Sequence, residues 1–321
     1  LISKPLTIVS SDANCEGFIF LFVSLGQTHR MLSSMLRYLA PLLYPSICSL
    51  SEKEREQYFK GKWVVVTGAS RGIGACLVEE LIASKANLLL IARSEDKLRE
   101  LCRKASSHGC SAIYRALDLR NQEQLSFLCE ELPGLLPNVH FFFSNAGKSI
   151  KRKISDSISR SHDFDRTISL NYTAAIHLSL ALLPALKRSH GTIISTSAVS
   201  LLYPFAPEWS AYHSSKGAAD IWFRTASTEL FTEGVKVRIA YIPLVHTEMS
   251  APNLDYRNLP GYQPEAAARI LLRLAIGRRN RYIPWWARLS APLAQAFSPL
   301  VTIGYKYYFK KKRCLNTATR L

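Results

Sequence analysis

The 321-residue chain is poor in several things, and each shortage removes a class of protein. Its seven cysteines (Cys15, Cys48, Cys76, Cys102, Cys110, Cys129 and Cys314) are odd in number and form no Cys-x-x-Cys pair. That spacing excludes a disulfide framework and a zinc ribbon, and points to reduced thiols in a cytoplasmic or cytosol-facing setting. Eight scattered histidines without ligand spacing give no reason to expect a metal. Fifteen glycines, fifteen prolines and 20% charged residues fit neither a collagen-like repeat nor a disordered chain. Long apolar runs are missing too. Gly17–Leu25 is far short of the ~20 residues that span a bilayer, and Leu289–Phe309 is interrupted by Pro292, Pro299 and Gly304. Methionine occurs only at 31, 35 and 249, so a translation start at Met31 or Met35 is one reading of the leading segment. Acidic residues are scarce in one place above all: from 257 to 321, thirteen Lys/Arg stand against Glu265 alone.

What remains divides into three zones. Residues 1–60 read as an N-terminal extension with an apolar, proline-broken stretch at Leu36–Leu50, suited to membrane contact or to covering another apolar surface. Ser51 followed by Glu54 has the form of a helix-opening capping box. Residues 61–285 alternate β-branched runs with stretches of helical length. The strand candidates are Trp63–Thr67, Asn87–Ala92, Ala112–Leu117, Val139–Ser144, Thr192–Ser197 and Val235–Ile242. The helix candidates include Ala75–Ser84, Glu95–Ser106, Asp163–Lys187, Ala211–Thr232 and Pro264–Ile276. That alternation predicts an α/β fold, a doubly wound Rossmann-type parallel sheet with helices on both faces. Residues 286–321 form an apolar and basic tail, with Trp286, Tyr305, Tyr307, Tyr308 and Phe309 before Lys310–Arg313. Such a tail suits peripheral contact with an anionic leaflet; a packed helix with a solvated basic end is the alternative. The basic block carries no nucleic-acid recognition motif, so nucleic acid is not an expected partner.

A phosphate-cradling loop follows the first strand. Gly68, Ser70, Arg71, Gly72, Ile73 and Gly74 run straight into a helix, where glycine lets the backbone approach a pyrophosphate held at the helix N-terminus. The second strand ends in Ala92-Arg93-Ser94 with no acid at its tip. An acid there would repel a 2′-phosphate, whereas Arg93, with Arg71 nearby, can pair with one, so NADP(H) is favoured over NAD(H).

Together with Ser144-Asn145-Ala146-Gly147, Asn171 and Tyr212-x-x-x-Lys216, this loop resembles the short-chain dehydrogenase/reductase family over about residues 61–250. The resemblance implies that Asp118 and Leu119 hold the adenine, that Asn145, Ala146 and Gly147 line the cofactor, and that Val245 and Thr247 contact the nicotinamide end. It also implies a tetrad of Asn171, Ser197, Tyr212 and Lys216. An ordinary phenol has a pKa of about 10. Lys216, one helical turn after Tyr212, would stabilise the phenolate and make it a usable general acid/base. Ser197 would bind the substrate oxygen, and Asn171 would complete a water-linked proton relay. Ser197 precedes Tyr212 by fifteen residues where thirteen is common, which predicts a small loop insertion within Tyr203–Trp209. Family members often pair through their two long helices, so a homodimer or homotetramer is expected.

The segment from Pro243 to Pro252, with Tyr256, Pro260 and Pro264-Glu265-Ala266-Ala267, bears a looser likeness to long-chain acyl-CoA reductases and related lipid-active enzymes. The expected substrate is a hydrophobic small molecule bearing a carbonyl or alcohol. A long-chain acyl-CoA and a 3-oxoacyl thioester are the alternatives. An NADP(H)-binding sensor or scaffold is the non-enzymatic one.

Overall fold

A computed structural model describes residues 38–253, 256 and 258–318; the expectations for Gly17–Leu25, for the methionines at 31 and 35 and for Cys15 lie outside them. The described residues open with helical residues 38–43 and the short helix α1 (Glu52–Tyr58), whose N-cap Ser51 and Glu54 form the reciprocal capping box. Then β1 (Trp63–Thr67), α2 (Gly72–Ala83), β2 (Asn87–Ala92), α3 (Glu95–Ser107) and β3 (Ala112–Ala116) complete the first half. The second half comprises α4 (Gln122–Leu135), β4 (Phe141–Ser144), α5 (His162–Ile168), α6 (Ala174–Arg188), β5 (Thr192–Ala198), α7 (Ser210–Glu229) and β6 (Lys236–Ile242). Last come α8 (Pro264–Ile276), the two-residue strand β7 (Arg281–Tyr282), α9 (Trp285–Ala296) and α10 (Ser298–Ala318).

The seven strands lie in the order β3-β2-β1-β4-β5-β6-β7, and every pair is parallel. Parallel strands covered on both faces must be apolar throughout, which is why β1, β2 and β4 read Trp-Val-Val-Val-Thr, Asn-Leu-Leu-Leu-Ile-Ala and Phe-Phe-Phe-Ser. One face packs against α2, α3 and α8 through residues such as Leu77, Leu98 and Leu271. The other packs against α4, α6 and α7 through Leu128, Leu182 and Phe223. Strand order reverses between β1 and β4, and that reversal opens a crevice at the carboxyl ends of the strands.

Some elements differ from the sequence expectation. Helix α2 begins at Gly72, three residues before Ala75, because the glycine loop itself supplies the first turn. The expected helix Asp163–Lys187 contains a π-helical turn, Ser169–Thr173, with buried Asn171 inside it. The stretch His162–Arg188 is long and apolar enough to cross a bilayer. Its buried Leu178, Leu182 and Leu186 instead pack in the core beside α4 and α7. The run Leu289–Phe309 resolves into α9, which continues through Pro292, and α10.

The extension is tied down by the C-terminal elements. The indoles of Trp285 and Trp286 donate to the carbonyls of Leu42 (2.9 Å) and Leu43 (3.2 Å). Arg269 donates to Ile47 O (3.3 Å), and Arg273 to Cys48 O and Ser49 O (2.8 Å each). A small apolar cluster of Trp286, Ala287, Ala291 and Ala294 with Val199 and Tyr203 seats α9 on the turn that follows β5.

Candidate active site

At the end of β1, Thr67 organises the crevice. Its hydroxyl accepts from the backbone N–H of Asn145 and Ala146 (3.0 Å each), and the side-chain amide of Asn145 donates to Thr67 O (3.1 Å). The two chain segments of the crevice are thereby clamped together. Gly68 and Gly72 adopt φ of +68° and +52°, a region costly for any residue with a Cβ. Gly74 has an ordinary backbone but no room: a Cβ there would lie 2.1 Å from Gly68 O. The loop is thus held against the first turn of α2, whose free N–H groups form a site for anionic oxygens.

A cavity of about 630 Å³ runs along the strand ends, within the range of ligand sites. Gly68, Ser70, Arg71, Gly72 and Ile73 line one part of it, and Gly74 lies packed behind them. Arg93, Asp118 and Leu119 form its far end, while Asn145, Ala146 and Gly147 form its floor. Val245 and Thr247 close the opposite side, the Thr247 methyl approaching the Cβ position of Gly72 to 3.2 Å. Asp118 is chelated by Arg120, whose guanidinium holds its carboxyl below the usual range. Arg71 is partnered: it pairs with Glu248 (2.9 Å) and donates to Ser94 (3.4 Å), linking the glycine loop to the ends of β2 and β6.

Ser197, Tyr212 and Lys216 meet in the same cavity. Ser197 is the next-to-last residue of β5, and its buried hydroxyl has no hydrogen-bond partner. Tyr212 and Lys216 face it from the first two turns of α7. Lys216 Nζ donates to Thr196 O (2.8 Å), and burial pushes its pKa down to about 8. Asn171 sits behind, where the π turn bulges it inward. Its Oδ1 accepts from Lys148 N (2.8 Å), and its Nδ2 lies 2.9 Å from Lys148 O and Ser215 Oγ. A Cβ at Gly147 would lie 3.3 Å from Asn171 Oδ1 and 3.5 Å from Lys216 Nζ, so this glycine leaves both polar ends uncovered.

Several lining residues were not singled out from sequence. Arg120 and Lys148 join Arg93 at the far end, and burial, with the nearby guanidinium groups, pushes the Lys148 pKa down. Trp209 stacks on Tyr256 (5.7 Å between centroids) and meets Tyr212 edge-on (6.0 Å), forming an aromatic wall beside the phenol. Tyr44, from the extension, packs edge-on against Tyr262 (5.1 Å) and also lines the cavity. Of these, Tyr256 alone was named from the sequence, in the segment that follows Pro243; the others are brought in by tertiary contact. His213 turns instead to Ser200 O (3.1 Å).

The groups present fit a nicotinamide dinucleotide: a cradle that a Cβ would fill, a helix N-terminus and an orphaned hydroxyl all face one crevice. Residues 62–257 match the family model for short chain dehydrogenases. The chain is 34% identical over 268 residues to a fatty acyl-CoA reductase of Acinetobacter baylyi, with 82% of this chain and 90% of that protein covered. It is 27% identical over 276 residues to a very-long-chain 3-oxoacyl-CoA reductase of Podospora anserina, with 84% and 80% covered. Among solved structures, an alcohol dehydrogenase from Thermococcus sibiricus complexed with 5-hydroxy-NADP superposes with a TM-score of 0.59 at 26% identity, covering 69% of this chain and 95% of that one. The chain therefore belongs to the short-chain dehydrogenase/reductase family of oxidoreductases.

Proposed function

We propose that this protein uses NADP(H) to interconvert a carbonyl and an alcohol on a long-chain, lipid-like substrate, with Tyr212 as the general acid/base. The observation that carries the reading is the meeting of Tyr212, Lys216 and the unpartnered Ser197 hydroxyl in one largely apolar cavity. When bound, the cofactor supplies the hydride. The protein's own groups do the rest. Ser197 Oγ has a free donor for the substrate oxygen, and meeting it relieves the cost of an unsatisfied buried hydroxyl. Tyr212 then delivers the proton to that oxygen. Lys216, with a pKa of about 8, is mainly a cation at neutral pH and favours the phenolate that remains. Asn171, held by the π turn, positions the segment through which the proton is replaced.

The preference for NADP(H) is supported by the end of β2, where Arg93 stands in place of an acid, and by Arg120 and Lys148 beside it. Asp118 adds little net negative charge there because Arg120 neutralises it. The substrate class is supported by the aromatic wall, by Tyr44 and by the two reductases of acyl-CoA chemistry named above. Those relatives favour a second reading, in which the reacting carbonyl belongs to a long-chain acyl-CoA or a 3-oxoacyl thioester. Assembly as a homodimer or homotetramer through α6 and α7 fits the exposed Leu180 and Ile221 on those helices. The non-enzymatic reading, a cofactor-bound sensor, is disfavoured because Tyr212 and Lys216 are both retained.

The test is loss of NADPH absorbance against a panel of long-chain ketones, aldehydes, acyl-CoAs and 3-oxoacyl-CoAs, with NADH as the comparison. Turnover with NADPH at least about tenfold faster than with NADH is expected, a difference of about 1.4 kcal/mol, and the preferred compound distinguishes the readings. Tight NADPH binding without turnover on any compound favours the sensor. Failure to bind either nucleotide overturns the proposal.

A further inference from the structure

Three neighbouring elements expose large apolar side chains. On α9 and at its C-cap, Trp285, Leu289, Leu293 and Phe297 recur every four residues and are 44–66% exposed. On α10 the stripe continues through Leu300, Ile303 and Tyr307, each at least 60% exposed. Tyr38 and Leu42 extend it onto the N-terminal arm, which the Trp285 indole fastens alongside. Isolated exposed leucines are ordinary, but a row shared by three packed elements is a docking surface. One turn beyond Tyr307 the same face of α10 becomes basic, with exposed Lys310 and Lys311 beside Lys306. Arg278, Arg279, Arg281 and Arg288 are also exposed nearby, and no acidic residue follows Glu265.

We infer that this face seats on an anionic lipid bilayer, with Trp285, Leu289, Leu293, Phe297, Leu300 and Ile303 entering the interface and the lysines meeting headgroups. Charge decides the occupant. A second copy would bring two acid-free basic blocks together, whereas an anionic leaflet neutralises them. The pairing of an apolar stripe with a basic end also fits a membrane better than a polyanion in water. Neither helix spans the bilayer here; both lie along it.

The surface adjoins the cavity. Leu42 is exposed on the stripe, while Tyr44, two residues on, lines the cavity. Helix α9 rests on the turn after β5 through a Tyr203–Ser290 hydrogen bond (2.7 Å) and the Gln295 bond to Leu202 O (3.2 Å). Val199 and Ser200 of that turn line the cavity, and Phe205 just beyond it meets Tyr305 of α10 edge-on (5.3 Å). A membrane-dissolved substrate would thus enter from the leaflet past Tyr44 rather than through water. That route rests on the proposed function; the binding to lipid does not.

The experiment is co-sedimentation of the full chain with vesicles of phosphatidylcholine, with and without about one-third phosphatidylserine, across a salt series. Binding to the anionic vesicles is expected, weakening as salt rises. Lys306→Glu/Lys310→Glu/Lys311→Glu should lower the partition coefficient at least about tenfold, and Leu289→Glu/Leu293→Glu should abolish pelleting. Both variants should keep wild-type NADPH binding and wild-type turnover of a detergent-dispersed substrate, which separates a lost membrane site from a lost fold or a wrong substrate. Wild-type protein that stays in the supernatant with both lipids overturns the inference. So do variants that pellet like wild type, and so does a dimer that Leu289→Glu/Leu293→Glu dissociates, since that face would then belong to a second copy.

Discussion

At the scale of single residues, the site works by placing polar groups where burial makes them responsive. Lys216 is the clearest case. Its pKa of about 8 lies below the ordinary 10.5 because the ammonium is desolvated. Between those two values the unfolded chain binds more protons than the folded one, so raising the pH through that window stabilises the fold. The charged lysine is therefore a stability cost at neutral pH. Lys216→Met should raise the melting temperature of the cofactor-free protein at pH 7 while removing turnover, and the gain should shrink by pH 10. A gain that ignores pH would show that the lysine is not held as a desolvated cation. Arg93 makes the complementary prediction for recognition. Hydrogen bonds to charged groups are worth about 1.5–3 kcal/mol, so Arg93→Ala should raise the KM for NADPH by roughly 10- to 100-fold and leave that for NADH unchanged. Equal loss with both nucleotides would mean that Arg93 does not read the 2′-phosphate.

At the scale of elements, the strand–loop–helix unit built from β1 and α2 carries the proposed cofactor site. Its tightest point is Gly74, where a methyl group would collide with Gly68 O and the Asn145 amide. Overpacking of this kind usually costs about 1–3 kcal/mol, and here it also displaces the loop. Gly74→Ala should lower the melting temperature by several degrees and weaken NADPH binding more than tenfold. Normal binding in that variant would show that the loop can give way. The regular elements were legible in the sequence for local reasons. Residues Trp63–Thr67 and Asn87–Ala92 are strands buried beyond their first residue, and their apolar runs end at turn residues. Helix α8 announces itself with Pro264 in its first turn and Gly277 at its end. The π turn at Ser169–Thr173 was not legible, because hydrogen-bond register inside an apolar helix follows from the packing of Asn171 against Lys148 and Ser215. Strand β7 is only two residues long and exists because β6 offers it an edge.

At the scale of the whole molecule, the α/β core carries the family match, and residues before and after it also line the cavity. The glycine loop, Tyr212 and Lys216 were readable because each belongs to a short contiguous motif. The Arg71–Glu248 pair joins positions 177 apart, and Tyr44 reaches the cavity from outside the matched region, so neither was visible in the sequence. Trp285 and Trp286 hold that arm in place. Tyr44→Ala should therefore raise the KM for a long-chain substrate several-fold while the KM for NADPH stays put; a change in both would assign Tyr44 to the fold rather than to substrate. The central claim is that one cavity joins nicotinamide binding to proton transfer from Tyr212. The most direct test measures NADPH affinity and NADPH-dependent turnover side by side in wild type and Tyr212→Phe. General acid catalysis contributes about 10²–10⁴-fold, so the account predicts unchanged affinity with turnover lower by at least that lower bound. Turnover that survives the substitution, or affinity lost along with it, would contradict the account.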